Sequence, residues 1–192
     1  MTLVPIAGPA IEPVTLEEAK AHLRVDTDPE DTLTQSLITA ARVHVEVCLG
    51  VALLSQSWLW LFDQWPKVRV AELPLRPVQS IASVKVRDAN GNPVTMPASN
   101  YLLDGRGNPA RLIASGPGGW PASGMAANGI EVELVAGYGS AAADVPRPLR
   151  HAILLLVAHW FERREPVEVG EELVTLPDMV GELLQPYRRV RL

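Results

Sequence analysis

The 192 residues carry a net charge of −5 and are 47% hydrophobic, enough for one domain or two small ones with a real core. That charge excludes a chain whose whole surface binds nucleic acid electrostatically. The single cysteine, Cys48, excludes an internal disulfide and a cysteine-based zinc cluster.

The N-terminal stretch Met1 to Ala10 has no basic segment ahead of an apolar run, so it does not read as a secretory signal. A soluble protein made in the cytoplasm is expected. Residues 1–13 are Pro-rich and read as an extended arm. Thr15 opens a short helix ending near Val25, since Thr15 and Glu18 have capping-box spacing. Asp28 as N-cap and Pro29 at the first helical position open a second helix, which runs to Leu49 and stops at Gly50. Its helical stripe is read as Leu33, Leu37, Ala40, Ala41, His44, Val45 and Cys48.

From Ser55 the period changes to two. Trp58, Trp60 and Phe62 alternate with Leu59 and Leu61, so both faces of this strand are apolar and a cover on each side is expected. Further short strands are read at Val68–Leu73, Ile81–Arg87, Tyr101–Leu103, Ala110–Ala114 and Ile130–Val135. Prolines 74 and 77 break the ladder between the first two. Asp88 to Pro93 is a hairpin turn, and the Gly/Ala/Pro-rich Ser115 to Gly129 a surface loop.

Pro146 to Pro166 reads as a helix with its prolines at the entrance and Arg163 and Arg164 in the last turn. Leu149, Ile153, Leu156, Val157 and Trp160 form one face at about 100° per residue. Leu154, Leu155, Ala158 and Phe161 cover much of the remainder. A helix apolar all round is buried in a core, a membrane or a subunit interface. This one falls short of the roughly 20 apolar residues of a membrane span. It is therefore read as a central core helix, with Leu154, Leu155 and Ala158 as candidate subunit contacts. Val167 to Thr175 follows as a loop and Leu176 to Gln185 as a short last helix. The fold class is α+β: a small helical core of about four helices with an inserted block of short antiparallel strands. Residues 1–55 supply the arm and first helices, 56–143 the β insertion, and 144–192 the central helix, last helix and tail.

Little in the chain suggests chemistry. His44 and Cys48, four apart on a helix, offer two metal ligands but no third. His151 and His159 lie about 12 Å apart along a helix axis, too far to share an ion. Glu131 and Glu133 share a strand face, which a solvated surface explains as well as acid–base work does. Gly137-Tyr138-Gly139-Ser140 lacks the nucleophile-elbow pattern, and Gly105-Arg106-Gly107-Asn108 lacks the continuation of a phosphate loop. No catalytic, cofactor-binding or metal site is read, and no enzyme is expected. Trp58, Trp60, Trp65 and Trp120 admit an alternative: a non-catalytic β module binding a carbohydrate-type ligand. The tail is a clearer signal, because Tyr187, Arg188, Arg189, Arg191 and Leu192 gather positive, aromatic and apolar groups on an acidic chain. Arg and Tyr are favoured at protein interfaces.

Several fragments, in order and spacing, carry a family resemblance. They are Pro13 to Lys20, His22 to Val25 with the acidic run Asp26 to Asp31, Leu73 to Val78 with Ile81, and Tyr101 to Leu103. Gly137 to Gly139, Val145-Pro146 with Leu149, Ala152 and Ile153, Arg164-Glu165, and Leu183-Leu184 through Arg188 complete the set. Together the chain resembles the head–tail connector (adaptor) proteins of long-tailed bacteriophages and gene-transfer particles. The resemblance implies a ring of copies, a dodecamer, in the particle neck. It implies docking on the portal protein, contact with a tail-side neck protein (a stopper or tail terminator), and DNA only as passing cargo. The basic tail is the candidate portal contact.

Overall fold

The computed structural model describes residues 1–26, 28–105, 107, 109–162 and 178–188. Arg163, Arg164 and Pro166, the expected loop from Val167 to Thr175, and the start of the last helix lie outside them. So do Arg106 and Asn108. The described residues form helices and antiparallel sheets, bearing out the α+β class. The chain divides into two compact units, residues 1–9 with 55–138 and residues 10–54 with 139–192.

The first unit holds the strands. Five of them, β1 (Thr2–Ala7), β2 (Gln56–Phe62), β4 (Val78–Arg87), β5 (Pro93–Thr95) and β8 (Ile130–Ala136), form a sheet ordered β1-β2-β8-β4-β5. The other three, β3 (Val70–Glu72), β6 (Tyr101–Asp104) and β7 (Arg111–Ala114), form a second sheet ordered β3-β7-β6. The segment expected as an arm is thus an edge strand, with Leu3 opposite Trp60 and Val4 opposite Leu59. Pro5 cannot donate to a ladder, a restriction an edge strand tolerates. β8 lies at the centre and alternates cleanly, with Ile130, Val132, Leu134 and Ala136 buried. β4 starts three residues earlier than its alternation suggested. Irregularities between Val78 and Ser80 and between Ile81 and Ser83 shift its register against β8, which hides its period. The turn after β4 forms as expected. The Asp88 carboxylate accepts from the backbone N–H groups of Asn90 and Asn92 at 2.8 and 2.9 Å. Those bonds, the one to Asn92 foremost, hold its carboxyl below the ordinary aspartate value.

The second unit is helical: α1 (Leu16–Leu23), α2 (Asp31–Leu49), α3 (Arg147–Glu162) and α4 (Asp178–Leu184). α2 packs on α3, which also touches α1 and α4. The capping box of α1 is present in both directions. Thr15 Oγ1 accepts from the Glu18 N–H at 3.1 Å, and Glu18 Oε2 accepts from the Thr15 N–H at 3.0 Å. The backbone bond to Thr15 is the main reason the Glu18 carboxyl sits below the ordinary value of 4.5. A lowered carboxylate pKa adds stability above the unfolded-state pKa and loses it as pH falls through the folded one. Thr15→Ala, which removes the Oγ1 acceptor, should cost about 1 kcal/mol of stability, measured by urea unfolding at neutral pH. Glu18→Gln, which removes the carboxylate itself, should cost stability at neutral pH by a margin that shrinks as the buffer is taken below the usual glutamate range.

α2 ends as expected at Gly50, whose φ of 66° suits a residue without a Cβ. Its start is later than predicted, because Asp28 turns to Lys20 (3.0 Å) rather than capping the helix. Its buried face also differs. Thr34, Ile38, Ala41, Val45 and Leu49 are inside, together with Arg42 and Glu46, while Leu33 and Cys48 are exposed. The two charges are matched within the fold. Arg42 Nε donates to Glu12 and its Nη1 to Glu46, each at 2.7 Å. The other oxygen of Glu46 accepts from the Leu53 N–H at 2.8 Å.

Candidate subunit and docking surfaces

α3 begins with Leu149 and Arg150 both donating backbone N–H groups to the Pro146 carbonyl. Arg150 then ties the helix to the start of α1. Its Nε donates to the Pro13 carbonyl at 2.8 Å, and its Nη2 pairs with the Glu18 carboxylate. One side of α3 is fully inside: Leu149, Ala152, Ile153, Leu156 and Val157 are each 0% exposed. Leu154, Leu155 and Ala158, the candidate subunit contacts, are only half-buried, as are Trp160 and Phe161. The apolar girth of this helix therefore exceeds what its own unit covers. Full burial of a leucine contributes about 1.5–3 kcal/mol, so Leu154 and Leu155 hold apolar area that a neighbour could still remove from water.

The tail residues are only partly placed. Gln185–Tyr187 forms one turn of 3₁₀ helix after α4, closed by the Arg188 N–H on the Gln185 carbonyl at 3.1 Å. Tyr187 is half-buried and Arg188 exposed. Arg189, Arg191 and Leu192 lie outside the described residues.

The polar groups singled out for chemistry do not converge. Cys48 Sγ is 3.5 Å from His44 Nε2, and the His44 ring meets Trp160 edge-on with centroids 5.8 Å apart. His151 meets His22 in the same manner. Among the described residues no group of three or more His, Cys, Asp or Glu could hold a metal ion. Glu131 and Glu133 are not a working pair, since each is matched across the sheet. Arg87 Nε donates to Glu131 at 2.7 Å, and the Ser83 hydroxyl donates to Glu133 at 3.4 Å. Gly137 to Ser140 is a turn in which Gly137 takes a φ of 139°. No helix among the described residues is long and apolar enough to cross a membrane.

Three of the four tryptophans singled out pack into an aromatic row with Phe62, while Trp58 is half-buried in β2. Trp60 is 4% exposed and lies 4.1 Å from Phe62, centroid to centroid. Phe62 meets Trp65 edge-on at 5.0 Å, and Trp65 stacks on Trp120 at 3.9 Å with an interplanar angle of 6°. Trp120 is half-buried. It anchors the Gly/Pro loop to the end of β2. Arg69 fastens the same loop by donating to the Gly116 and Pro117 carbonyls, both at 3.0 Å. The stack uses one face of each indole.

The described residues thus combine inward-matched charges with half-buried apolar side chains along α3. Residues 13–93 match the family of phage gp6-like head-tail connector proteins. The resemblance read from the sequence is borne out over that stretch. Among solved structures, the chain is similar over its full length to a chain from the neck of an empty GTA particle computed with C6 symmetry. The identity there is 25%, the TM-score 0.83, and 97% of that chain is covered. Chains from the virion of a native gene transfer agent (GTA) particle and from its neck computed with C12 symmetry share the fold. Each has 24% identity, a TM-score of 0.81, and coverage of 100% of this chain and 97% of the other. No curated protein matches the chain.

Proposed function

We propose that this chain is a structural, non-catalytic head–tail connector (adaptor) in the neck of a phage or gene-transfer particle. The observation that carries the reading is the full-length likeness to a GTA neck chain, supported by the connector family match over residues 13–93. In this reading copies of the chain close into a ring, a dodecamer. One side docks on the portal protein and the other meets a tail-side neck protein. Identical copies that close a ring do so through head-to-tail contacts between two different surfaces, and Leu154, Leu155 and Ala158 contribute to one of them. DNA passes through the ring without being held, because an acidic chain releases no counterions from the duplex and so gains no affinity for it.

Electron microscopy of particles, and of the purified chain at high concentration, tests this reading. Ring-shaped assemblies or neck density containing the chain are expected. A chain that stays monomeric and is also absent from particles overturns it. The basic tail is assigned to the portal. Arg188→Glu combined with Arg189→Glu should leave the melting temperature in place and weaken binding to purified portal at least about tenfold, as for charges at a protein interface. Unchanged portal affinity would remove that role from the tail.

A further inference from the structure

α2 turns its charges inward. Along its 19 residues the charged side chains are Asp31, Arg42 and Glu46. Asp31 pairs with Lys20 at 2.7 Å, and Arg42 and Glu46 are buried. The opposite side, which runs through Ser36, Ala40, Val43 and Val47, carries no charge at all. Val43 is 45% and Val47 77% exposed. A surface helix normally places its charged residues outward and its valines inward. The flank of α3 has the same neutrality. From His151 to Phe161 there is no Lys, Arg, Asp or Glu, and Leu154, Leu155 and Ala158 are half-buried there.

We propose that the outer face of α2 in one copy packs on the neutral flank of α3 in the next copy. This inference rests on the ring reading above and names the two surfaces that close it. A ring of identical copies needs two unlike lateral faces on each copy, and these are two uncharged helix faces on one unit. A charged partner surface would be stripped of water against Val43 and Val47 with nothing to pair with. A second neutral apolar face loses nothing on contact. The similar neck assembly was computed with C6 symmetry, so its chains repeat about an axis.

Cys48 is the chain's single cysteine, is exposed and follows Val47. Alkylation with N-ethylmaleimide, followed by intact mass, therefore reports on this face directly. In the assembled wild type its rate should fall at least about tenfold below that of the dilute monomer, since thiol reactivity follows exposure. Val47→Glu, at a position already in solvent, should keep the melting temperature and weaken assembly at least about a hundredfold, the cost of an unpaired buried charge. Leu155→Glu should weaken assembly likewise from the other side, with a modest drop in melting temperature because the residue is half-buried. Mixed in equal amounts, the two variants should form a dimer and stop there, because each retains one intact face. Rings from Val47→Glu, or a Cys48 equally reactive in ring and monomer, overturn the face while leaving the ring reading standing. Folded variants whose mixture stays monomeric overturn the pairing with α3. A wild type that makes no ring alone or in particles removes the ring reading, and this inference with it.

Discussion

Arg42→Leu should lower the unfolding free energy by about 3–5 kcal/mol, the usual cost of stranding one member of a buried ion pair. Arg42 and Glu46 are 8% and 9% exposed. Burial opposes the charge on Arg42. The Glu12 hydrogen bond and the Glu46 and Glu12 charges outweigh it, so the guanidinium holds its proton beyond its ordinary range. Without Arg42, one oxygen of Glu46 keeps the Leu53 N–H, while the other loses its bond to the guanidinium and the carboxylate loses its matching charge. Adding Glu46→Gln removes that stranded charge and keeps an acceptor for Leu53, so the double variant should be more stable than Arg42→Leu alone. Chemical unfolding of the full chain measures both. A loss below about 1 kcal/mol for the single variant would place the pair among ordinary solvated surface pairs.

Leu156→Ala should cost about 2–5 kcal/mol, as deletion of a fully buried leucine does when the cavity cannot collapse. Leu156 lies between Ile153 and Val157 on the side of α3 that is closed to water. Leu155→Ala, one residue back and half-buried, should cost clearly less in the same urea titration. Its larger effect should appear in ring formation followed by sedimentation. Equal losses of monomer stability at the two positions would show that α3 is core on every side and would leave no surplus for a neighbour.

Local signals were legible where a single residue type decides the geometry. The Thr15–Glu18 box, the stop at Gly50 and the Asp88 turn each depend on a short-range bond or a permissive φ. The alternation of β8 was legible too, because it lies between two partners and its period is unbroken. The face of α2 was not. Its periodicity counts Arg42 and Glu46 as solvent-facing, and only the three-dimensional placement of Glu12 and the Leu53 N–H makes them interior. Thr34 is inside for a related reason: its hydroxyl bonds back to the Glu30 carbonyl at 3.0 Å, which removes the need for water. β1 was hidden because Pro5, Gly8 and Pro9 read as an arm, and its pairing with β2 is a contact made across some fifty residues of chain. For the candidate surfaces, the half-buried state of Leu154, Leu155 and Ala158 follows the excess apolar girth seen in the sequence. The neutral face of α2 had a usable signal in a helix nearly empty of charge.

Where the chain crosses between its two units has a consequence for how such proteins can vary. Gln56 lies opposite Ala136, and Ala7 opposite Ser57. The three crossings, after residues 9, 54 and 138, therefore leave neighbouring strands at one end of the sheet. Everything beyond those paired residues is a cassette held by its own hydrogen-bonded base. Strands, hairpins or the Trp120 loop could be lengthened, trimmed or exchanged by recombination without altering the spacing at which the chain returns to the helices. Chains of this fold can then differ in the sheet while the helical unit keeps a common gauge.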